Sequence, residues 1–274
     1  MTLVTEYREE LGEYEAVPIP GLRRADRDGT ALLRRRSVRT ARRAVLYLPG
    51  LDGADGPLGP AMPDGLAGWY DERGFGCYLA SLGTPGGAGV TASLDRVLCA
   101  LDGMAQVLRV SEGIDTLVVS GDGAGATVAA LWCAGRPPGP ADALVLTAPA
   151  VPGASRPRGE SSPWPPGSRR LRAAAARRLA GGADIGCPVL VLSGTPSWAD
   201  EAAAAGRRAR RGDSRRGDPR PGPLPLGPHV TCLRLRVPDG SPLPPRGPEA
   251  GPFYRELGRW LGAYLTGPFR DQLL

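Results

Sequence analysis

The sequence predicts an α/β fold, a doubly wound, mostly parallel sheet with helices on both faces, and two patterns carry that expectation. Short apolar runs recur along the chain, bounded by turn residues, and between them lie segments whose apolar residues fall at helical spacing. The runs are continuous rather than alternating, as strands buried on both faces should be. Alternation of strand and helix then implies right-handed crossovers that lay helices on both sides of one sheet.

Two early runs, around Tyr14 to Pro20 and Ala31 to Arg36, fit an antiparallel pair on one edge. The remaining strands are expected at AVLYL (Ala44 to Leu48), FGCYLASL (Phe75 to Leu82), TLVVS (Thr116 to Ser120), ALVLTA (Ala143 to Ala148), PVLVLS (Pro188 to Ser193) and VTCLRLRV (Val230 to Val237). Leu94, Val97, Leu98, Leu101, Met104 and Leu108 make one helical stripe, and Phe253, Leu257, Trp260, Leu261 and Tyr264 make another. Residues 1–274 read as a single domain, since no linker leads to a second core. Val151 to Gly186 breaks the rhythm as a short insertion with one Arg/Ala helix, a lid over a pocket or plain surface. Ser197 to Pro228 is an Arg/Pro/Gly-rich segment expected to be irregular and solvated.

Composition narrows the function classes. The net charge is +6, yet the chain has no lysine or asparagine and only three isoleucines and three phenylalanines. Those depletions fall on A/T-rich codons, so a G+C-rich genome accounts for the arginines as well as phosphate binding does, and a nucleic-acid partner is not expected. Gly and Pro total 70 residues, but twelve of the thirty prolines fall between Pro196 and Pro252, which leaves the apolar runs largely clear of them. Cys77, Cys99, Cys133, Cys187 and Cys232 show neither metal-ligand spacing nor a CxxC pair, so no metal or cofactor is expected, and free buried thiols in a reducing compartment fit best. The acidic start, MTLVTEYREELGEYEA, lacks the pattern of a signal peptide, and no apolar stretch nears the roughly 18 residues of a membrane span. A cytoplasmic location is the expectation.

One stretch carries chemistry. In LVVSGDGAGATVAALW, Leu117 to Trp132, a strand-like run enters a turn of small residues and then a helix-like run. Gly121, Gly123 and Gly125 stand in the first, third and fifth places of G-x-S-x-G, with glycine where that pattern has serine. The stretch resembles the nucleophile elbow of α/β-hydrolases. The chain from about residue 14 to 265, including YLPGLDG and the terminal HVTCLRLR and YRELGRWLGAYL, is similar to hydrolases of the serine-aminopeptidase and monoacylglycerol-lipase-like type.

The resemblance implies an α/β-hydrolase fold and assigns places to a site. Small residues at Gly121 and Gly125 would let the strand turn sharply, and the vacant nucleophile position would be Gly123. Backbone amides of Ala124 and of Leu51, after Gly50, would form an oxyanion hole, and such donors survive the loss of a serine. The fold also requires a histidine after its last strand. The only histidine, His229, stands at the start of that strand, and the following VPDGSPLPPRG offers Asp239, Gly240 and Ser241 but no imidazole. Ser197 occupies the place where the acid is common. Asp200 is the orphan-acid candidate, with Glu201, Asp213 and Asp218 beyond it, but with no base to orient each reads better as a surface carboxylate.

A register shifted by one puts Asp122 at the apex, where dehalogenases on this fold carry their aspartate, though they too need a histidine. The expectation is therefore a hydrolase-like protein without an intact triad, binding a small apolar or acyl-bearing ligand or a protein partner. The alternatives are an esterase-like, lyase, isomerase or cyclase activity resting on Asp122 and the oxyanion amides, or an interaction role for the Arg-rich stretch from Arg207 to Arg220.

Overall fold

The computed structural model describes residues 14–19, 30–36, 41–49, 62–82, 90–134, 139–147, 185–193, 230–234 and 250–265. Eight strands form one sheet: β1 (Tyr14–Val17), β2 (Thr30–Arg35), β3 (Arg43–Leu48), β4 (Phe75–Leu82), β5 (Thr116–Asp122), β6 (Ala143–Thr147), β7 (Val189–Ser193) and β8 (Val230–Arg234). Their order is β1-β2-β4-β3-β5-β6-β7-β8. β2 runs antiparallel to both β1 and β4, and every pair from β4 across to β8 is parallel. The expected antiparallel edge pair and the parallel body are both present.

Among the described residues four helices interleave with these strands: α1 (Asp64–Glu72), α2 (Val90–Gln106), α3 (Gly123–Cys133) and α4 (Ala250–Leu265). A π-helical turn, Val107–Ser111, extends α2. The sheet splits the core in two. Leu94, Leu101 and Met104 of α2 and Ala126, Val128 and Trp132 of α3 pack on one face against Leu46, Leu117, Val119 and Leu146. Leu66 and Tyr70 of α1 and Phe253, Leu257 and Trp260 of α4 pack on the other against Val45, Val118, Val145 and Leu190. Alternate residues of β3, β5 and β6 thus serve opposite layers, which is why those runs had to be apolar throughout. α3 is apolar nearly all round because it is buried nearly all round.

The helical stripes read from the sequence face the core, and α1 is a further helix whose apolar face had not been singled out. One expectation needs correcting. Cys77, Cys133 and Cys187 are buried, but Cys99 is exposed, because it falls on the side of α2 opposite the Leu94, Val97 and Leu101 stripe. No helix among the described residues is long and apolar enough to cross a membrane. The 197–228 segment and all of 151–186 except Ile185 and Gly186 lie outside the described residues.

A charged clamp ties the edge pair to the turn that precedes β5. Arg34 on β2 donates through Nε to Glu15 Oε1 of β1 at 2.7 Å and through Nη1 to Glu112 Oε2 at 2.6 Å. Tyr78 Oη on β4 donates to the same Glu112 oxygen at 2.9 Å. The hydrogen bond to Glu15 is the main reason that the Arg34 guanidinium holds its proton more tightly than usual. Since the Arg34 side chain is 42% exposed, solvent screens much of this attraction. Arg34→Met is expected to cost about 1 kcal/mol in urea unfolding at low salt, and less at high salt.

Candidate functional site

The site begins with chain geometry. β4 and β5 both flank β3, so the chain leaves β3 toward one side through α1 and returns on the other through α2. That reversal makes the carboxyl ends of β3 and β5 the topological switch point, the place where open α/β sheets bind ligands. β5 feeds α3 there without an intervening loop residue, since Asp122 ends the strand and Gly123 opens the helix.

The backbone identifies the apex. Asp122 is extended, at φ −118 and ψ 139, whereas Gly123 sits at φ 51 in the left-handed region. Gly123, with left-handed backbone, is thus where strand passes into helix, and Asp122 precedes it in extended conformation. The flanking glycines are required by close approach. A Cβ on Gly121 would lie 2.6 Å from Ala126 Cα and 2.7 Å from Ala126 N. One on Gly125 would collide with the carbonyl oxygens of Leu48 and Pro49, and would lie 2.7 Å from Leu48 C. α3 thus presses against the end of β3 at a distance only glycine permits.

Two electrostatic features meet at this turn. The first N–H groups of α3, that of Ala124 among them, have no acceptor within the helix. With the helix dipole behind them they favour negative charge on an oxygen placed before them. Asp122, one residue earlier, is partly buried, and burial pushes its carboxyl up to about 7, with the Gly123 N–H pulling weakly the other way. Its side chain shares the α1 and α4 face of the sheet with Ser120 by strand alternation. Tyr47 on β3 stands directly beside Ser120. Burial, and after it the charge of Asp122, hold the Tyr47 phenol well above its ordinary range. Tyr70 of α1 completes this layer, its phenol likewise raised by burial.

The structure therefore brings Gly121, Asp122, Gly123, Ala124 and Gly125 together at the carboxyl end of β3. Gly50, Leu51, Asp200 and His229 lie outside the described residues, as do Ser197, Glu201, Asp213, Asp218, Asp239, Gly240 and Ser241. Among the described residues no group of His, Cys, Asp and Glu could hold a metal ion. Sequence reasoning missed Tyr47, Tyr70 and Ser120. Ser120 had a signal, being polar and two residues before Asp122 in an otherwise apolar strand. Tyr70 had none, since nothing in its helix ties it to the turn.

Comparison with known proteins places this geometry. No family model matches the sequence, and no curated protein matches it. Solved structures do match along nearly the whole chain. Esterase 2 of Thermogutta terrifontis, phosphorylated by paraoxon, superposes with a TM-score of 0.57 at 15% identity, over 92% of this chain and 94% of that one. Esterase B of Lactobacillus rhamnosis, bound to a tributyrin phosphonate, gives 0.56 at 10% identity, over 94% and 87%. MGS-M1, an α/β hydrolase from a Medee basin deep-sea metagenome library, gives 0.51 at 14%, over 92% and 98%. At these identities the likeness speaks for the fold.

Proposed function

We propose that this chain, which has the α/β-hydrolase fold, is a non-catalytic form of that architecture, keeping the elbow for binding a small apolar or acyl-bearing ligand or a protein partner. One observation carries the reading: the apex position, held at φ 51, is Gly123 and has no side chain to act as nucleophile. The scarcity of histidine supports it, since the chain has one, His229, at the start of the last strand rather than after it. In a serine hydrolase, losing the nucleophile or the base costs on the order of a millionfold in turnover. The binding and oxyanion contributions that remain give roughly a thousand- to ten-thousandfold over water. The oxyanion share of what remains needs only backbone N–H groups, that of Ala124 at the start of α3 among them, and on this reading they serve to bind an acyl oxygen after the chemistry is lost.

Purified protein is expected to show no saturable turnover of p-nitrophenyl acyl esters, while a short- to medium-chain carboxylic acid raises its thermal midpoint with concentration. Saturable ester hydrolysis that Asp122→Ala abolishes would sink the proposal.

A second reading has its own support in Asp122. A carboxyl pushed up to about 7 is matched to acid–base work near neutrality. It would suit a lyase, isomerase or cyclase step that needs no covalent intermediate. Such an activity would show a pH limb near neutrality that disappears in Asp122→Asn. If that limb persisted in the variant, Asp122 would not be the acid or base.

A further inference from the structure

The sheet ends on a strand with little of its own to bury. Among the described residues β1 pairs with β2 alone, and none of its four side chains is fully buried, Ala16 being exposed and the others half-buried. On the next strand the core is already closed, with Leu32 at 0% and Leu33 at 2% exposure. Apolar burial at β1 is limited to the partial packing of Tyr14, Val17 and the following Ile19. What else fastens the strand is polar, namely its ladder to β2 and the ionic contact at Glu15.

That contact is prepared from the other side. Glu15 and Arg34 are partners in register, and so are Arg34 and Tyr78, which sets the three side chains in one row across β1, β2 and β4. Glu112 closes the row, taking Arg34 Nη1 and Tyr78 Oη on the same oxygen. All three guanidinium nitrogens are engaged, with Nε at 2.7 Å and Nη2 at 2.6 Å from Glu15 Oε1 and Nη1 at 2.6 Å from Glu112. Because Glu112 already holds the Arg34 side chain, its pairing with Glu15 loses less rotamer freedom than an isolated exposed pair would.

We propose that β1 is a detachable edge strand and that Arg34, held in place by Glu112, is the latch that fastens it through Glu15. Opening the latch costs the β1 ladder and the Glu15 contact, but it leaves the Arg34 to Glu112 arm and the fully buried layers standing. Such an opening occurs far more often than global unfolding. Detachment bares the outer edge of β2, whose N–H and C=O groups then form a template for strand pairing. Three strands separate β1 from β5 and the elbow, so the device does not depend on whether the chain binds or turns over a ligand.

Native-state hydrogen exchange on the full chain tests it, followed in a series of urea concentrations below the unfolding transition. The β1 amides are expected to exchange faster than those of β5 and to respond little to urea, since a local opening exposes little surface, whereas β5 exchange rises with urea. Arg34→Met and Glu15→Gln should each speed β1 exchange about fivefold at low salt, and the double variant no further, because both remove the same contact. Raising salt to about 1 M should speed β1 exchange in the parent and not in either variant. β1 exchange that climbs with urea in step with β5 would overturn the proposal, because the strand would then open only with the whole fold. So would β1 exchange that Arg34→Met leaves unchanged, because Arg34 would then fasten nothing.

Discussion

Gly125→Ala is expected to destabilise the protein by more than about 4 kcal/mol, or to prevent folding outright. The added methyl would meet the carbonyl oxygens of Leu48 and Pro49 and the Leu48 carbonyl carbon at 2.7 Å, all of them backbone. Those atoms cannot give way cheaply, because β3 is hydrogen-bonded to β4 on one side and β5 on the other. Nor can α3 retreat, since Val128, Ala129 and Trp132 are buried without exposed surface in the layer beneath. Gly68→Ala in α1 is the matched control, because a Cβ there meets nothing within 4 Å. That change should stabilise by roughly 0.5–1 kcal/mol, as alanine for glycine does in a helix interior. Urea midpoints of the two variants check the pair. A Gly125→Ala protein as stable as its parent would mean that the approach of α3 to β3 is not tight.

The second large effect is a pH dependence centred on Asp122. Its carboxyl titrates near the ordinary value of 3.8 in the unfolded chain and at about 7 in the folded one. Between those values the native state keeps a proton that the unfolded state has released. Stability therefore falls as pH rises from about 4 to about 7, and this contribution is level on either side. A shift of that size corresponds to an upper figure of about 4 kcal/mol, and the partial exposure of the side chain lowers it to a few kcal/mol. Asp122→Asn is neutral at every pH and should flatten the slope. The variant should match its parent near pH 4 and exceed it by a few kcal/mol at pH 8, read as urea midpoints across a pH series. Parallel slopes in the two proteins would show that Asp122 is solvated as usual.

The body of the fold was legible because burial leaves a strong mark on sequence. AVLYL, LVV and ALVL are apolar without a break since each strand feeds a layer on both faces, and the stripe from Leu94 to Leu108 is the inward side of one helix. The turn was legible for a steric reason, as the spacing of Gly121, Gly123 and Gly125 records where α3 crosses β3. Less could be read where the signal is not local. The backbone angles at Asp122 and Gly123 could not be read from the letters, which fit either register of the turn; the left-handed φ of 51 falls at Gly123. The polar layer of Tyr47, Tyr70 and Ser120 joins residues from three elements, and Tyr and Ser within apolar runs look like ordinary core substitutions until the sheet is assembled. Cys99 was misplaced for a simpler cause, being judged by the apolar run around it rather than by its side of the helix.

The central claim is that the elbow persists as architecture after its chemistry has gone, and serine restoration tests it most directly. Gly123→Ser and the parent would each be incubated with paraoxon, the reagent that phosphorylates the structurally similar esterase 2, and followed by intact mass. On the proposed reading no base is placed to deprotonate a hydroxyl at position 123, so neither protein should gain a stoichiometric phosphoryl adduct there, and the variant should hydrolyse esters no faster than its parent. One adduct per chain at position 123, together with saturable ester turnover in the variant, would reveal a working base beside the turn and contradict the account.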